Sequence, residues 1–188
     1  MVKDKILISG KKLLLRKLSR EHLSSTYLNW LNDEEVTYYL ETGSVKSTME
    51  DLELYFQRVT ESEHILPIAI ESIIDGKHIG NLKLEPISYI HKKATLGVLI
   101  GDKNYWGKGV GFEALNLVLK YSFNRLKLKR INLGVFDEHV AAIRLYKKVG
   151  FKEEGLFRNA SYHHPSKSFK NQMWLGILDK EFNYKETQ

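Results

Sequence analysis

The sequence predicts a single α/β domain with a mixed sheet flanked by helices. Its 188 residues, 43% of them hydrophobic, are enough to bury one sizeable core. Strand-like runs alternate with amphipathic helical stripes along the chain. No internal repeat, low-complexity tract or linker interrupts this alternation. Residues 1–188 are therefore expected to fold as one unit.

Composition excludes several classes of function. The chain has no cysteine, so disulfides, zinc–thiolate sites and cysteine nucleophiles are ruled out. Lysines interrupt the apolar runs at the amino terminus, and no segment offers the roughly 20 apolar residues of a membrane span. We therefore expect a cytoplasmic protein with no membrane partner. The formal charge of +6 suits an anionic partner or a merely solvated basic surface. The sequence contains no recognisable nucleic-acid-binding module, so we do not expect the protein to bind nucleic acid.

The first half of the chain predicts two helices and a hairpin. Residues 11–18 predict a strand, and Ser19 offers an N-cap for the first helix. Ser47 and Glu50 form the expected capping box of the second helix. The apolar stripes of these two helices comprise Leu23, Tyr27, Trp30 and Leu31, then Met49, Leu52, Tyr55, Phe56 and Val59. Asp75-Gly76 is a good hairpin turn between two strands, and residues 92–101 predict a third strand.

The second half predicts a helix from about 109 to 125, a buried strand at 130–136, a helix ended by Gly150, and two closing strands. The helix after residue 109 is expected to turn Ala114, Leu115, Val118, Leu119, Ser122 and Leu126 inward, with Glu113, Asn116 and Lys120 opposite.

Three glycines, at 107, 109 and 111, precede that helix, with Lys108 between the first two. A helix N-terminus presents unpaired N–H groups, and glycine lets an anion approach them, so a phosphate site is predicted. A tight turn without a ligand is the structural alternative. The Walker phosphate-binding pattern does not fit, because it requires Ser or Thr after its lysine and Lys108 is followed by glycine. Gly109, Gly111 and Ala114 also fit the dinucleotide fingerprint, but Asp137 follows too late for its acidic residue.

The runs "LIGDKNYWGKGVGFEAL" and "INLGVFDEHVAAIRLYKKVGFKEEG" resemble the acetyl-CoA-binding half of the GNAT superfamily of N-acetyltransferases. Gly109 and Gly111 match its pyrophosphate loop, with Trp106 in place of the usual Gln or Arg. Tyr146 and Gly150-Phe151 match its second motif. Together with "YLNWLNDEEVTYYLE", Trp106 resembles the branch of ribosomal-protein alanine N-terminal and amino-sugar acetyltransferases.

The resemblance implies a mostly antiparallel sheet, splayed where acetyl-CoA binds. Residues 91–160 would form the acetyl-CoA-binding core and residues 1–90 mainly the acceptor side. Backbone N–H groups at Leu99 and Ile100 would contact the pantetheine arm and the thioester. The remaining implied cofactor contacts are Trp106, Gly107, Lys108, Gly109, Val110, Gly111, His139 and Tyr146. His139 replaces a common asparagine, and either takes over its hydrogen bond to the pantetheine arm or loses that contact.

Acetyl transfer to an amine needs a neutral amine, a stabilised oxyanion and a proton for the departing thiolate. The resemblance implies direct attack, with Tyr146 as general acid, although its helical spacing alone favours core packing. Glu85 is the first candidate for the base and Glu71 the second, and a water chain would also serve. Tyr27 and Trp30 are predicted to cover the acceptor site, or simply to pack in the core. His163-His164 lacks nearby carboxylates, so no metal is expected.

The predicted function is acetyl-CoA-dependent N-acetylation of a primary amine. The acceptor expected from the resemblance is an amino-sugar, possibly nucleotide-linked, with a protein N-terminal amine as the alternative. A non-catalytic acyl-CoA-binding module would use the same glycines. The expected partners are CoA and a small-molecule or peptide amine, and a homodimer is common among relatives.

Overall fold

A computed structural model describes residues 6–40 and 45–184. Its eight strands are β1 Ile6–Ser9, β2 Leu13–Lys17, β3 Leu66–Ser72, β4 His78–Ser88, β5 Lys93–Ile100, β6 Arg130–Phe136, β7 Lys152–His163 and β8 Ser168–Leu178. Its α-helices are α1 Ser25–Leu31, α2 Glu34–Thr37, α3 Met49–Glu61, α4 Val110–Asn124 and α5 Val140–Val149. Short 3-10 turns occupy Arg20–His22 and Lys103–Tyr105.

The strands form one sheet in the order β1-β2-β3-β4-β5-β6-β8-β7. Every neighbouring pair is antiparallel except β5 and β6, which are parallel. A right-handed crossover through α4 is the usual way to join two parallel neighbours. The predicted mixed, mostly antiparallel sheet is confirmed.

Helices cover both faces of this sheet. Successive residues of a strand point to opposite faces, and Ile68 and Ile70 join the main core while Ala69 joins a separate cluster. The main core contains most of the inward side of α4 and part of α5. On the opposite face, α1 and α3 contribute Tyr27, Trp30 and Leu52 to a second cluster.

Two expectations about helix chemistry were wrong. The capping box of α3 is formed by Thr48 and Asp51, one residue beyond the predicted pair, with the Thr48 hydroxyl accepting from the Asp51 N–H at 3.2 Å. Glu113 and Asn116 of α4 do not face solvent, since they are only 2% and 1% exposed. The Glu113 carboxylate accepts the N–H groups of Lys12 and Leu13 at 2.8 and 3.2 Å, which secures the turn between β1 and β2 against the helix.

Other differences lie at the ends of elements. Ser19 caps only the first 3-10 turn, and Ser24 is the N-cap of α1. The short elements β1 and α2 were not predicted from the sequence.

The sheet opens between β5 and β6. The structure describes every residue of these two strands, and they pair only where Lys93–Thr95 lies beside Arg130–Asn132. Where the pairing ends, the Asn132 side-chain amide donates to the Thr95 hydroxyl at 3.0 Å. Beyond this point β5 continues along β4 and β6 continues along β8, so the strands diverge. We call the resulting space the β5–β6 gap.

Candidate active site

Backbone groups of β5 line one side of the β5–β6 gap. The N–H of Gly101 donates to the carbonyl of Ile79 in β4 at 3.0 Å. Peptide groups alternate in direction along a strand. The N–H of Leu99 therefore also points to β4, whereas the N–H groups of Val98 and Ile100 point into the gap. The prediction that the Leu99 N–H is available to a ligand was therefore wrong, and Val98 was missed. The register of β4 against β5, which decides this, is not readable from the sequence.

A glycine turn lies at the wide end of the gap. Gly107 and Gly109 have φ angles of +72° and +80°, the left-handed region that favours glycine. A Cβ at either position would meet nothing within 4 Å, so the backbone is open to an approaching group. Gly109 is the N-cap of α4, whose first N–H groups have no partner within the helix. This arrangement fits a pyrophosphate.

Gly111 has a packing role, and its predicted contact with the cofactor stays a prediction. A Cβ there would lie 3.0 Å from Cδ2 of Leu145, so this glycine lets α5 approach the first turn of α4. The Trp106 indole N–H donates to the Ile100 carbonyl at 2.8 Å. The ring therefore joins the glycine turn to the end of β5, and remains 38% exposed.

Lys108 and Val110 line a cavity of about 440 Å³. Its other walls come from the start of β2, the end of β3 with the turn that follows it, and the residues around the 3-10 turn that precedes the glycine turn. Lys12, Lys77 and Asp75 also line this cavity, so its charges are mixed. Contact between Lys108 and acetyl-CoA stays a prediction.

Tyr146 lies on α5, the helix that follows β6 in the chain. Its ring is partly buried against the main core and meets Phe151 edge to face, with centroids 5.9 Å apart. Burial raises the pKa of the Tyr146 hydroxyl to about 12, so it is protonated at neutral pH. The packed ring agrees with the helical spacing, and the role of the Tyr146 hydroxyl as general acid stays a prediction.

His139 is the N-cap residue of α5, but its side chain makes no capping hydrogen bond. Instead the imidazole stacks on Tyr39, with ring centroids 4.1 Å apart and planes inclined by 13°. Burial lowers the pKa of His139, which favours the neutral ring with one donor and one acceptor. Tyr39 was not predicted, because nothing in the sequence relates it to a residue 100 positions away.

Tyr27 and Trp30 are core residues of the opposite face. They are 4% and 6% exposed, and Trp30 packs so closely on Gly101 that a Cβ there would lie 2.1 Å from the indole ring. Leu99 packs against the same cluster. The packing alternative is therefore confirmed, and direct contact of either ring with an acceptor stays a prediction.

Both candidate carboxylate bases are already engaged by cations. Although partial burial acts to raise it, the pKa of Glu85 is lowered by hydrogen bonds from Lys83 and Arg58, at 2.5 and 2.7 Å. Glu71 accepts from Arg16 at 2.9 Å and contacts Nε2 of His22 at 3.0 Å. The lowered pKa makes Glu85 a weak proton acceptor.

His78 and Asn81 add a polar pair that the sequence analysis did not single out. Nε2 of His78 lies 3.0 Å from the Asn81 amide oxygen, and burial lowers the pKa of His78 to about 4. Among the described residues, Nδ1 of His78 and Nδ2 of Asn81 are buried side-chain atoms without a hydrogen-bond partner. Asn81 pairs with Leu99 in the sheet, so the two groups lie on the face of Tyr27 and Trp30, beside the gap.

His163 is buried rather than at the surface. Its Nε2 lies 2.7 Å from the Tyr38 carbonyl oxygen and its Nδ1 lies 2.7 Å from the Ser166 hydroxyl. Within residues 6–40 and 45–184, no three His, Asp or Glu side chains come together in a way that could hold a metal ion. The same residues include no helix long and apolar enough to cross a membrane.

Comparison with known proteins identifies this arrangement. The acetyltransferase (GNAT) domain family matches residues 12–152. Spermidine N(1)-acetyltransferase of Escherichia coli is 31% identical over 149 residues, covering 78% of this chain and 76% of that protein. An uncharacterized N-acetyltransferase of Bacillus subtilis is 27% identical over 158 residues, covering 83% of this chain and 88% of that protein.

Solved structures agree with the sequence comparisons. Spermidine N-acetyltransferase from Vibrio cholerae, in complex with CoA and spermine, superposes with a TM-score of 0.82 at 27% identity, covering 90% of this chain and 97% of that one. A dodecameric structure of the Vibrio cholerae enzyme superposes with a TM-score of 0.75 at the same coverage of this chain. The relatives described above that are named for a substrate are spermidine acetyltransferases. The chain belongs to the GNAT family, and it is an acetyl-CoA-dependent N-acetyltransferase.

Proposed function

We propose that the acceptor is a primary amine of an aliphatic polyamine. The observation that carries this proposal is the similarity to the Vibrio cholerae enzyme bound to CoA and spermine, which extends over 90% of the chain. Local charge also supports it. Three consecutive acidic residues, Asp33, Glu34 and Glu35, stand at the start of α2 on the acceptor side. A cationic chain can be attracted there although the protein as a whole carries a charge of +6.

An amino-sugar, either free or linked to a nucleotide, is the second candidate. The basic surface favours a ligand that carries phosphate, and Lys103 already neutralises part of the acidic cluster through contacts of 2.7 and 3.0 Å with Asp33 and Glu35. The same basic surface also suits acetyl-CoA alone. An N-terminal peptide amine is the third candidate, because Trp106 and the run "YLNWLNDEEVTYYLE" also resemble the ribosomal-protein alanine N-terminal acetyltransferases.

The cofactor side of the mechanism uses mostly backbone. The open turn at Gly107 and Gly109 and the first N–H groups of α4 would hold the pyrophosphate. The gap-facing N–H groups of Val98 and Ile100 would hold the arm and polarise the thioester carbonyl. Attack by the amine forms the new C–N bond, and the C–S bond breaks as the sulfur leaves. The Tyr146 hydroxyl would donate to that departing sulfur.

The amine must lose its proton before it attacks. Glu85 and Glu71 remain candidates, but the lowered pKa of Glu85 makes it a weak proton acceptor. Glu71 is already engaged by Arg16 and His22. Burial lowers the pKa of His78 to about 4, so this imidazole is a weak proton acceptor too. A route through water would need none of these side chains.

The proposal is tested by calorimetry and an acceptor screen on the full chain. We expect saturable binding of acetyl-CoA and none of NADH, and turnover of spermidine and spermine with kcat/KM at least about tenfold above that for glucosamine, a nucleotide-linked amino-sugar or an alanine-terminal peptide. Preference for the amino-sugar or the peptide would replace the polyamine. Binding of acetyl-CoA without turnover of any amine would support the non-catalytic module instead.

A further inference from the structure

Residues 38 and 39 connect the two arms of the opened sheet. They follow α2, on the acceptor side, and reach residues at the end of β6 and of β7. The Tyr38 carbonyl lies 2.7 Å from Nε2 of His163, and the Tyr38 and His163 rings meet edge to face with centroids 4.9 Å apart. We call these two residues the 38–39 bridge.

The bridge ends in the Tyr39 ring, which stacks on His139 at 4.1 Å. A second contact, with ring centroids 6.4 Å apart, joins Tyr39 to Phe136 at the end of β6. Phe136 in turn packs edge to face on His163, with centroids 5.3 Å apart. Five aromatic rings from three parts of the chain therefore support one another on the β6 side of the gap.

This cluster restrains the His139 side chain, which has no other partner in its own turn. The His139 backbone N–H donates to the Phe136 carbonyl at 2.9 Å, but the imidazole is left out of the helix cap. A side chain that is held in one rotamer loses less entropy when it binds a ligand than one that is free to rotate. The Tyr39 ring provides that restraint.

We propose that Tyr39 is a positioning residue that holds the His139 imidazole for acetyl-CoA. The imidazole would form one hydrogen bond with an amide of the pantetheine arm, at the point where this arm passes between β5 and β6. This inference rests on the proposed binding of acetyl-CoA in the gap. It assigns to a residue of the acceptor half a role in binding the co-substrate.

The test measures acetyl-CoA affinity by calorimetry in Tyr39→Leu and Tyr39→Phe. Loss of a stacked pair should weaken binding in Tyr39→Leu by roughly three- to tenfold, while Tyr39→Phe, which keeps the ring, should stay within about twofold of the unchanged protein. In steady state, the KM for acetyl-CoA should rise more than kcat falls. Thermal unfolding without ligand confirms that both variants are folded.

Tyr89→Leu is the matched control. Tyr89 also lies beside a histidine, His64, with ring centroids 6.0 Å apart, but in the turn between β4 and β5 at the opposite end of β5 from the glycine turn. Its replacement should leave acetyl-CoA affinity within about twofold. A fall equal to that of Tyr39→Leu would show a general loss of packing, and would overturn the assignment.

A double-mutant experiment tests whether Tyr39 acts through His139. If Tyr39 acts through His139, then Tyr39→Leu should change affinity by less than about twofold when His139→Asn is already present. An equal effect in both backgrounds would overturn the proposed coupling. If the unchanged protein fails to bind acetyl-CoA, the proposed function fails; if it binds and Tyr39→Leu binds equally well, only the role of Tyr39 fails.

Discussion

Tyr146 shows how burial limits what a catalytic residue can do. Its pKa of about 12 exceeds the ordinary thiol value of about 8.5, so complete proton transfer to a thiolate is uphill in the ligand-free site. A hydrogen bond to the developing negative charge requires no such transfer. We therefore expect Tyr146 to assist chiefly by donating a hydrogen bond to the leaving sulfur.

Replacement of Tyr146 by Phe tests this distinction. The ring and its contact with Phe151 remain, so stability and acetyl-CoA affinity should change little. A hydrogen bond to a charged group contributes about 1.5–3 kcal/mol, which predicts a fall in kcat of about 10- to 150-fold. A loss far larger, measured in steady state at saturating substrates, would indicate obligatory proton transfer, and unchanged kcat would remove Tyr146 from the mechanism.

His78 gives a pH dependence of stability. Its pKa falls from 6.5 to about 4 on folding, because burial penalises the charged ring. Between these values the unfolded chain binds more protons, so the free energy of unfolding should fall as the pH drops from about 7 to 4, by up to about 3 kcal/mol.

Denaturant unfolding of His78→Gln across this pH range isolates the effect. The stability advantage of the unchanged protein should shrink or reverse as the pH falls, whereas His91→Gln, at an exposed site, should give a curve parallel to that of the unchanged protein. Parallel curves for His78→Gln as well would show that His78 is not neutral in the folded state.

At the scale of elements, the glycine turn before α4 has a conformational and a spatial requirement. Gly109→Ala should destabilise the protein by about 1–2 kcal/mol, because alanine tolerates the left-handed region poorly. It should also weaken acetyl-CoA binding, because the new Cβ would enter the open space at the helix N-terminus.

Gly76→Ala is a close control for the turn. Gly76 has a similar φ of +68° and equally open surroundings, but belongs to the turn between β3 and β4. Both variants should lower the unfolding temperature to a similar extent, and only Gly109→Ala should raise the Kd measured by calorimetry. Equal affinities in the two variants would contradict a pyrophosphate site at this turn.

Elements with a strong local signal were predicted well from the sequence. The glycine turn, the apolar stripe of α5 and the Asp75-Gly76 hairpin each depend on residues close together in the chain. Glu113 was misplaced because its partners, the N–H groups of Lys12 and Leu13, lie about 100 residues away. Thr48 and Ser47 are equally good N-caps, so helix α3 could begin at either until the tertiary structure fixed it.

At the scale of the whole molecule, the site is built from segments that lie far apart in the sequence. The family motifs predicted Trp106, the glycines and Tyr146, which lie in one continuous half of the chain. The directions of Leu99 and Ile100 depend on pairing with β4, and the orientation of His139 depends on Tyr39. Neither dependence has a local signature, so both required the folded structure.

The opening of the sheet beyond Thr95 has a consequence for selectivity. If the arm of acetyl-CoA enters between β5 and β6, it would take the place of a missing strand and would be recognised through main-chain N–H groups of the protein. Such a ladder would contact the same amides whatever acyl group lies beyond the sulfur. We therefore expect discrimination between acetyl and longer chains to come from side chains at the narrow end of the opening, where Asn132 meets Thr95.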